Sequence, residues 1–128
     1  MRIARLFALP LMVLATSSAG AQAPAVVEVH LSNFKFTPRE IVLDQGRPYV
    51  LRLVNDSGGG HDFAAPAFFA RASVALPDRP LVRDGEVEVP SGQVRQVRLT
   101  APPAGRYKLK CTHSFHKMFG MSGSIVVR

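Results

Sequence analysis

Gly105-Arg106-Tyr107-Lys108-Leu109-Lys110-Cys111-Thr112-His113-Ser114-Phe115-His116-Lys117-Met118-Phe119-Gly120-Met121-Ser122-Gly123-Ser124-Ile125-Val126-Val127 reads as a strand, a loop and a second strand. In the first strand Tyr107, Leu109 and Cys111 fall on one face and Lys108 and Lys110 on the other, so the cysteine points inward at the strand's end. In the second, period-two alternation puts Met121, Gly123, Ile125 and Val127 on a common face, with Met121 at its inner mouth. Between them the chain gathers its only cysteine with His113, His116, Met118 and Met121. Thiolate, imidazole and thioether are a soft ligand set, the kind that selects copper among first-row metals.

Upstream, short strands are separated by turn signals. Val27, Val29 and Leu31 alternate with Glu28 and His30, then Phe34 and Phe36 with Lys35, until Thr37-Pro38 breaks the run. Ile41 to Leu43 ends at Asp44-Gln45-Gly46. Tyr49, Leu51 and Leu53 share a face before Asn55-Asp56-Ser57-Gly58-Gly59-Gly60. Val87 with Val89, and Val97 with Leu99, mark two more strands, the second turning at Ala101-Pro102-Pro103-Ala104-Gly105. This rhythm predicts an all-β antiparallel sandwich. One short helix is expected in the connecting segment from Pro66, with apolar Phe68, Phe69, Ala72 and Leu76, ended by Pro77-Asp78-Arg79-Pro80 and capping an open end of the sandwich.

The chain has 128 residues, which suits one domain. Residues 1–21 read as a signal peptide: a basic start with Arg2 and Arg5, an apolar run from Leu6 to Leu14, and small residues at the cleavage point. Cleavage is expected after Ala21, with Ala23 as the alternative, because cutting after Ala23 sets Pro24 beside the scissile bond. The apolar run is shorter than the roughly 20 residues of a membrane span, so an exported, periplasmic protein with no stable membrane insertion is expected. The remaining domain, 22–128, carries 14 basic and 9 acidic residues, a net charge of +5. The basic residues are scattered, without the clustered or aromatic-interleaved stripe of a nucleic-acid footprint. They suit solubility and steering toward an acidic partner. A single cysteine excludes an intramolecular disulfide. Outside the cytoplasm a lone thiol is an oxidation liability unless buried or held by a metal.

The run from Gly105 to Cys111, followed by His116 and then by Gly120 to Val127, resembles the C-terminal signature of cupredoxins, the small blue copper proteins. Phe36-Thr37-Pro38 with Ile41 to Gly46, and the segment Asn55 to His61, are similar to family counterparts as well. The resemblance implies a Greek-key β-sandwich and one type 1 copper ion. It carries Cys111 to the thiolate ligand, His116 to the loop histidine and Met121 to the weak axial thioether. His61, behind the glycine run, takes the place of the remaining equatorial ligand. It implies a weak axial contact from the Gly60 carbonyl. Where many family members have an asparagine after the first histidine, this chain has Asp62, and Thr112 follows the cysteine. A hydrogen bond between the two would fix both ligand loops, and a carboxylate there would favour oxidised copper.

Two imidazoles and a thiolate with a long axial thioether hold both copper oxidation states with little rearrangement, so electrons pass quickly. Gly58, Gly59 and Gly60 would let the backbone approach the metal. His113 and Met118 are bystanders in this reading, and His30 sits on an outward face. Phe115, Met118 and Phe119 would ring the exposed edge of His116 as an apolar patch where redox partners dock. The function expected is a one-electron carrier, monomeric, with no catalytic machinery: no acid/base pair or activated nucleophile stands out. The competing functions are copper buffering or delivery, with His113 and Met118 as transfer ligands, and a metal-free structural sandwich.

Overall fold

The computed structural model describes residues 12–15, 20, 22–32, 34–113 and 120–128. His116, together with Phe115, Met118 and Phe119, lies outside the described residues. Among the described residues ten strands run as β1 (Ala25–Ser32), β2 (Lys35–Thr37), β3 (Glu40–Leu43), β4 (Pro48–Val54), β5 (His61–Ala64), β6 (Ser73–Val74), β7 (Glu86–Val89), β8 (Val94–Thr100), β9 (Gly105–Lys110) and β10 (Ser122–Val127). They form two five-stranded sheets, in the orders β2-β1-β4-β8-β6 and β3-β10-β9-β5-β7. The alternation expected in the sequence is the alternation observed. Val29, Leu31, Leu51, Leu53, Val97 and Leu99 of one sheet are buried against Ile41, Phe63, Val87, Leu109 and Ile125 of the other.

The sheets are not purely antiparallel. β1 pairs parallel with β4, and β10 parallel with β3, while the other ladders are antiparallel. The cause lies in the connections: β2 stays with β1, β3 crosses to the second sheet and β4 returns to the first. A strand that returns by crossing the sandwich arrives pointing the same way as its neighbour.

The connecting segment holds two short helices rather than one. The first, α1 (Pro66–Arg71), opens with a proline, which loses nothing where the N–H has no helical partner. It docks by Phe68 and Phe69, whose rings pack edge-on to each other at 5.4 Å and onward to Tyr107 at 5.7 Å and Phe63 at 6.1 Å. Pro77-Asp78-Arg79-Pro80, expected only to stop a helix, sits inside a six-residue 3-10 helix (Leu76–Leu81). Its first proline stands in the first turn, where the N–H has no helical partner. Leu76 is therefore 71% exposed instead of packed under α1. Phe34 also departs from its expected inward face: it occupies the tight β1–β2 turn with φ at 60°. Asp78 anchors the segment by accepting from Arg98 through the backbone N–H, Nε and Nη2 at 2.8–3.1 Å.

Candidate metal centre

Cys111, Met121 and His61 arrive at one end of the sandwich from three neighbouring strand ends. Alternation along β9 buries Tyr107 and Leu109 and carries the register to Cys111, which is 0% exposed. Gly120, with φ at 68°, turns the returning chain into β10. Met121 then faces the core at 1% exposure, and the Cys111 N–H donates to the Met121 carbonyl at 3.0 Å. His61 opens β5, the strand beside β9, and is 3% exposed.

Asp62 and Thr112 tie the two loops together. The Thr112 backbone N–H donates to Asp62 Oδ1 at 2.7 Å, and the Thr112 hydroxyl bonds Asp62 Oδ2. The carboxylate is itself buried, 2% exposed. The residues following His61 and Cys111 thus hold each other, fifty positions apart in sequence.

A second set of bonds orients the His61 ring, through residues that sequence reasoning missed. His61 Nε2 lies 2.9 Å from Ser57 Oγ, and that hydroxyl lies 2.7 Å from Asn55 Oδ1 and 3.1 Å from the Gly59 carbonyl. Both of those are acceptors, so the single hydroxyl proton points to them and Ser57 Oγ accepts from His61. His61 Nε2 thus carries a proton, and Nδ1 is fully buried. Asn55 is fixed in turn by Nδ2 donating to the carbonyls of Gly59 and Val89, each at 2.8 Å. The signal for this was present: asparagine two positions before a serine is a common turn opener, and Asn55 Oδ1 accepts the Ser57 N–H at 3.0 Å.

The three glycines before His61 differ in their surroundings. Gly58, Gly59 and Gly60 do not adopt left-handed φ angles, and a Cβ at Gly58 or Gly59 would meet nothing within 4 Å among the described residues. At Gly60 a Cβ would come into ordinary contact with His113 Cε1 and Glu88 Oε1, at 3.4 and 3.5 Å. His30 is not a plain surface residue either. Its ring bridges Glu28 at 2.8 Å and Asp56 at 3.1 Å.

Burial pushes the Cys111 thiol up from 9.0 to about 11, and hydrogen bonds from the backbone of Asp62 and His113 pull the other way. At neutral pH the metal-free site thus holds a neutral thiol. A copper ion reverses the preference at sulfur, since a coordinated thiol is deprotonated outright. The donor set of buried thiol, Nδ1 of His61 and Met121 thioether fits copper: soft, shielded from water and already oriented.

A cupredoxin-like domain profile matches residues 5–127. The chain belongs to the cupredoxin-like family. The match begins ahead of β1, within the stretch read as a leader. Among solved structures, this cupredoxin resembles auracyanin B at 20% identity over 88% of this chain and 95% of that one, with a TM-score of 0.61. Auracyanin A of Chloroflexus aurantiacus, described as a "blue" copper protein, matches at 20% identity over 83% and 100%, with a TM-score of 0.58. The McoA multicopper oxidase of Aquifex aeolicus matches at 14% identity over 88% of this chain but 31% of its own, with a TM-score of 0.63. At these identities the likeness is one of fold. A search of curated protein sequences gives no significant match.

Proposed function

We propose that this cupredoxin is a one-electron carrier whose single type 1 copper ion is held by His61 Nδ1, the Cys111 thiolate, His116 and the Met121 thioether. The observation that carries this reading is the convergence of His61, Cys111 and Met121, each at most 3% exposed, at one end of the core. The Asp62–Thr112 link between the two loops supports it. A buried, preoriented donor set favours rapid electron exchange over substrate turnover, because four protein donors leave no open position for a substrate. In this role the protein is not an enzyme, although its fold is shared with part of a multicopper oxidase.

The same reading extends to location and partners. The N-terminal stretch to Ala21 is a leader and the domain works in the periplasm. Its residues Met12, Val13 and Leu14 are more than 80% exposed and take no part in the core. No helix among the described residues is long and apolar enough to cross a membrane. The partner is an acidic redox protein that meets the His116 end. Lys108 and Lys110 on the outer face of β9 make no ion pair among the described residues, which leaves two cations for such a contact.

The test is the visible spectrum of the copper-reconstituted protein from residue 22 onward. An intense thiolate-to-copper charge-transfer band is expected, bleached by ascorbate and lost in Cys111→Ser. Stoichiometric copper binding without that band would overturn the assignment. Fast bleaching and recovery with retained copper distinguishes a carrier from a delivery protein, which would surrender Cu(I) to a chelator on the same timescale.

A further inference from the structure

We propose that Asp62, Glu88 and His113 form a second cation site, on the outer face of the β3-β10-β9-β5-β7 sheet, suited to a borderline divalent ion such as Zn2+. The site does not depend on copper being bound at Cys111.

The register creates it. Asp62 of β5 stands directly opposite Glu88 of β7 in an antiparallel pair, so both carboxylates project from the same face, away from Phe63 and Val87 in the core. Like charges directly opposed across two strands repel. Among the described residues no lysine or arginine pairs with either of them. The residue that reaches the pair is His113, swung over β5 and β7 by the turn after Cys111. Its Nε2 lies 2.9 Å from Glu88 Oε1 and 3.2 Å from Oε2. One ligand atom from each of Asp62, Glu88 and His113 falls within 4.8 Å of the others. A cation between them at about 2.0–2.2 Å from each needs only a small adjustment.

The chemistry of the three groups defines the ion. One imidazole and two carboxylates are the donors of Zn2+ sites, and Cu2+ also takes them; there is no thiolate or thioether to favour Cu(I). Asp62 already accepts from Thr112 through both oxygens and also bonds the Cys111 thiol, but a carboxylate offers about four lone-pair positions and keeps one. Asp62 is a buried anchor. The side chains of His113 and Glu88, 35% and 57% exposed, leave the site open to solvent, so an ion can enter and water can complete its shell. Because Asp62 also secures Thr112, an ion here would brace the loop that carries Cys111.

The test is calorimetric titration of Zn2+ into two forms of the protein: the copper-loaded wild type, and a metal-free Cys111→Ser variant checked for native far-UV circular dichroism. One saturable Zn2+ per chain is expected in both. It should weaken by at least about tenfold in Glu88→Gln and in His113→Ala, since loss of even an outer partner of a metal costs that much. Co2+ supplies a second readout: bound at this site it gives weak visible bands without the intense near-ultraviolet thiolate band that Co2+ at Cys111 would give. No saturable binding up to about millimolar Zn2+, or binding undiminished in both variants, would overturn the proposal. If wild type takes no copper, the copper reading fails while the Cys111→Ser titration still decides this one.

Discussion

Removing the Asp62 carboxylate should loosen the end of the sandwich that carries the candidate ligands, by an amount its two bonds define. Asp62 is 2% exposed and accepts the Thr112 N–H at 2.7 Å and the Thr112 hydroxyl. In Asp62→Ala both Thr112 donors lose their partner. A hydrogen bond to a charged group is worth about 1.5–3 kcal/mol, and an abandoned donor costs about 1–3 kcal/mol where water cannot reach it. Thr112 is half-buried, so water repairs part of the loss. The expected destabilisation is about 2–4 kcal/mol. Asp62→Asn keeps an acceptor for the N–H and offers an N–H to a hydroxyl that can turn round. It gives up only the charge assistance and should cost no more than about 1 kcal/mol. Thr112→Val removes the hydroxyl bond to the carboxylate alone and should cost about 1.5–3 kcal/mol.

The measurement is equilibrium urea unfolding of the metal-free protein, followed by far-UV circular dichroism because the chain has no tryptophan. Wild type, Asp62→Asn, Thr112→Val and their double mutant make a cycle in which the two changes should be strongly non-additive. If Asp62→Ala cost less than about 0.5 kcal/mol, or cost the same as Asp62→Asn, the carboxylate would not be tying the loops and the reasoning would fail.

Three further outcomes follow from other sites. The metal-free Cys111 thiol, pushed up to about 11 by burial, should resist iodoacetamide at pH 8 in folded protein and react readily in urea; equal rates in both would refute its burial. Because the folded value lies above the unfolded one, the stability it contributes is complete below 9.0 and fades as pH rises through about 11. Donating to the Glu28 and then the Asp56 carboxylate raises His30, so its contribution is complete below its ordinary 6.5 and declines as pH rises through the higher folded value. His30→Gln should flatten the fall of the urea midpoint on that alkaline side, and curves that stay parallel to wild type would rule the contribution out. Gly123→Ala would set a Cβ 2.4 Å from the Arg39 carbonyl, which accepts the Ser124 N–H at 3.0 Å. It should cost at least about 1–3 kcal/mol in urea unfolding, and an unchanged midpoint would show that β10 has room there.

What could be read from the sequence was whatever a single strand records. Tyr107, Leu109 and Cys111, or Met121, Ile125 and Val127, declare their inward face by alternation alone, and all six are buried. Parallel pairing of β1 with β4 left no such mark, because direction depends on which sheet the intervening strand joins. Glu88 was passed over for the same reason: nothing within Glu86-Val87-Glu88-Val89 says that Asp62 stands opposite it. Leu76 was misplaced by a local error of a different kind. Helical spacing put it on the face of Phe68 and Phe69, but Ala72 is already extended, and the chain leaves through β6 before the 3-10 turn begins.

The arrangement around His61 and Cys111 shows how a sandwich can bury metal donors and still fold without the metal. A charged ligand in that core would be costly to desolvate. Cys111 is held uncharged instead, as a thiol, by burial, and the His61 ring is oriented by its bond to Ser57. The formal charge beside them is the Asp62 carboxylate, and the Thr112 N–H and hydroxyl satisfy it without any cation. The neutral thiol fits the apolar core, while the hydrogen bonds that fix the direction of the donors run through Asn55, Ser57, Asp62 and Thr112 at its rim. A copper ion bound there would have to displace the thiol proton. The orientation of His61 and the spacing of its loop from Cys111 are set before it arrives.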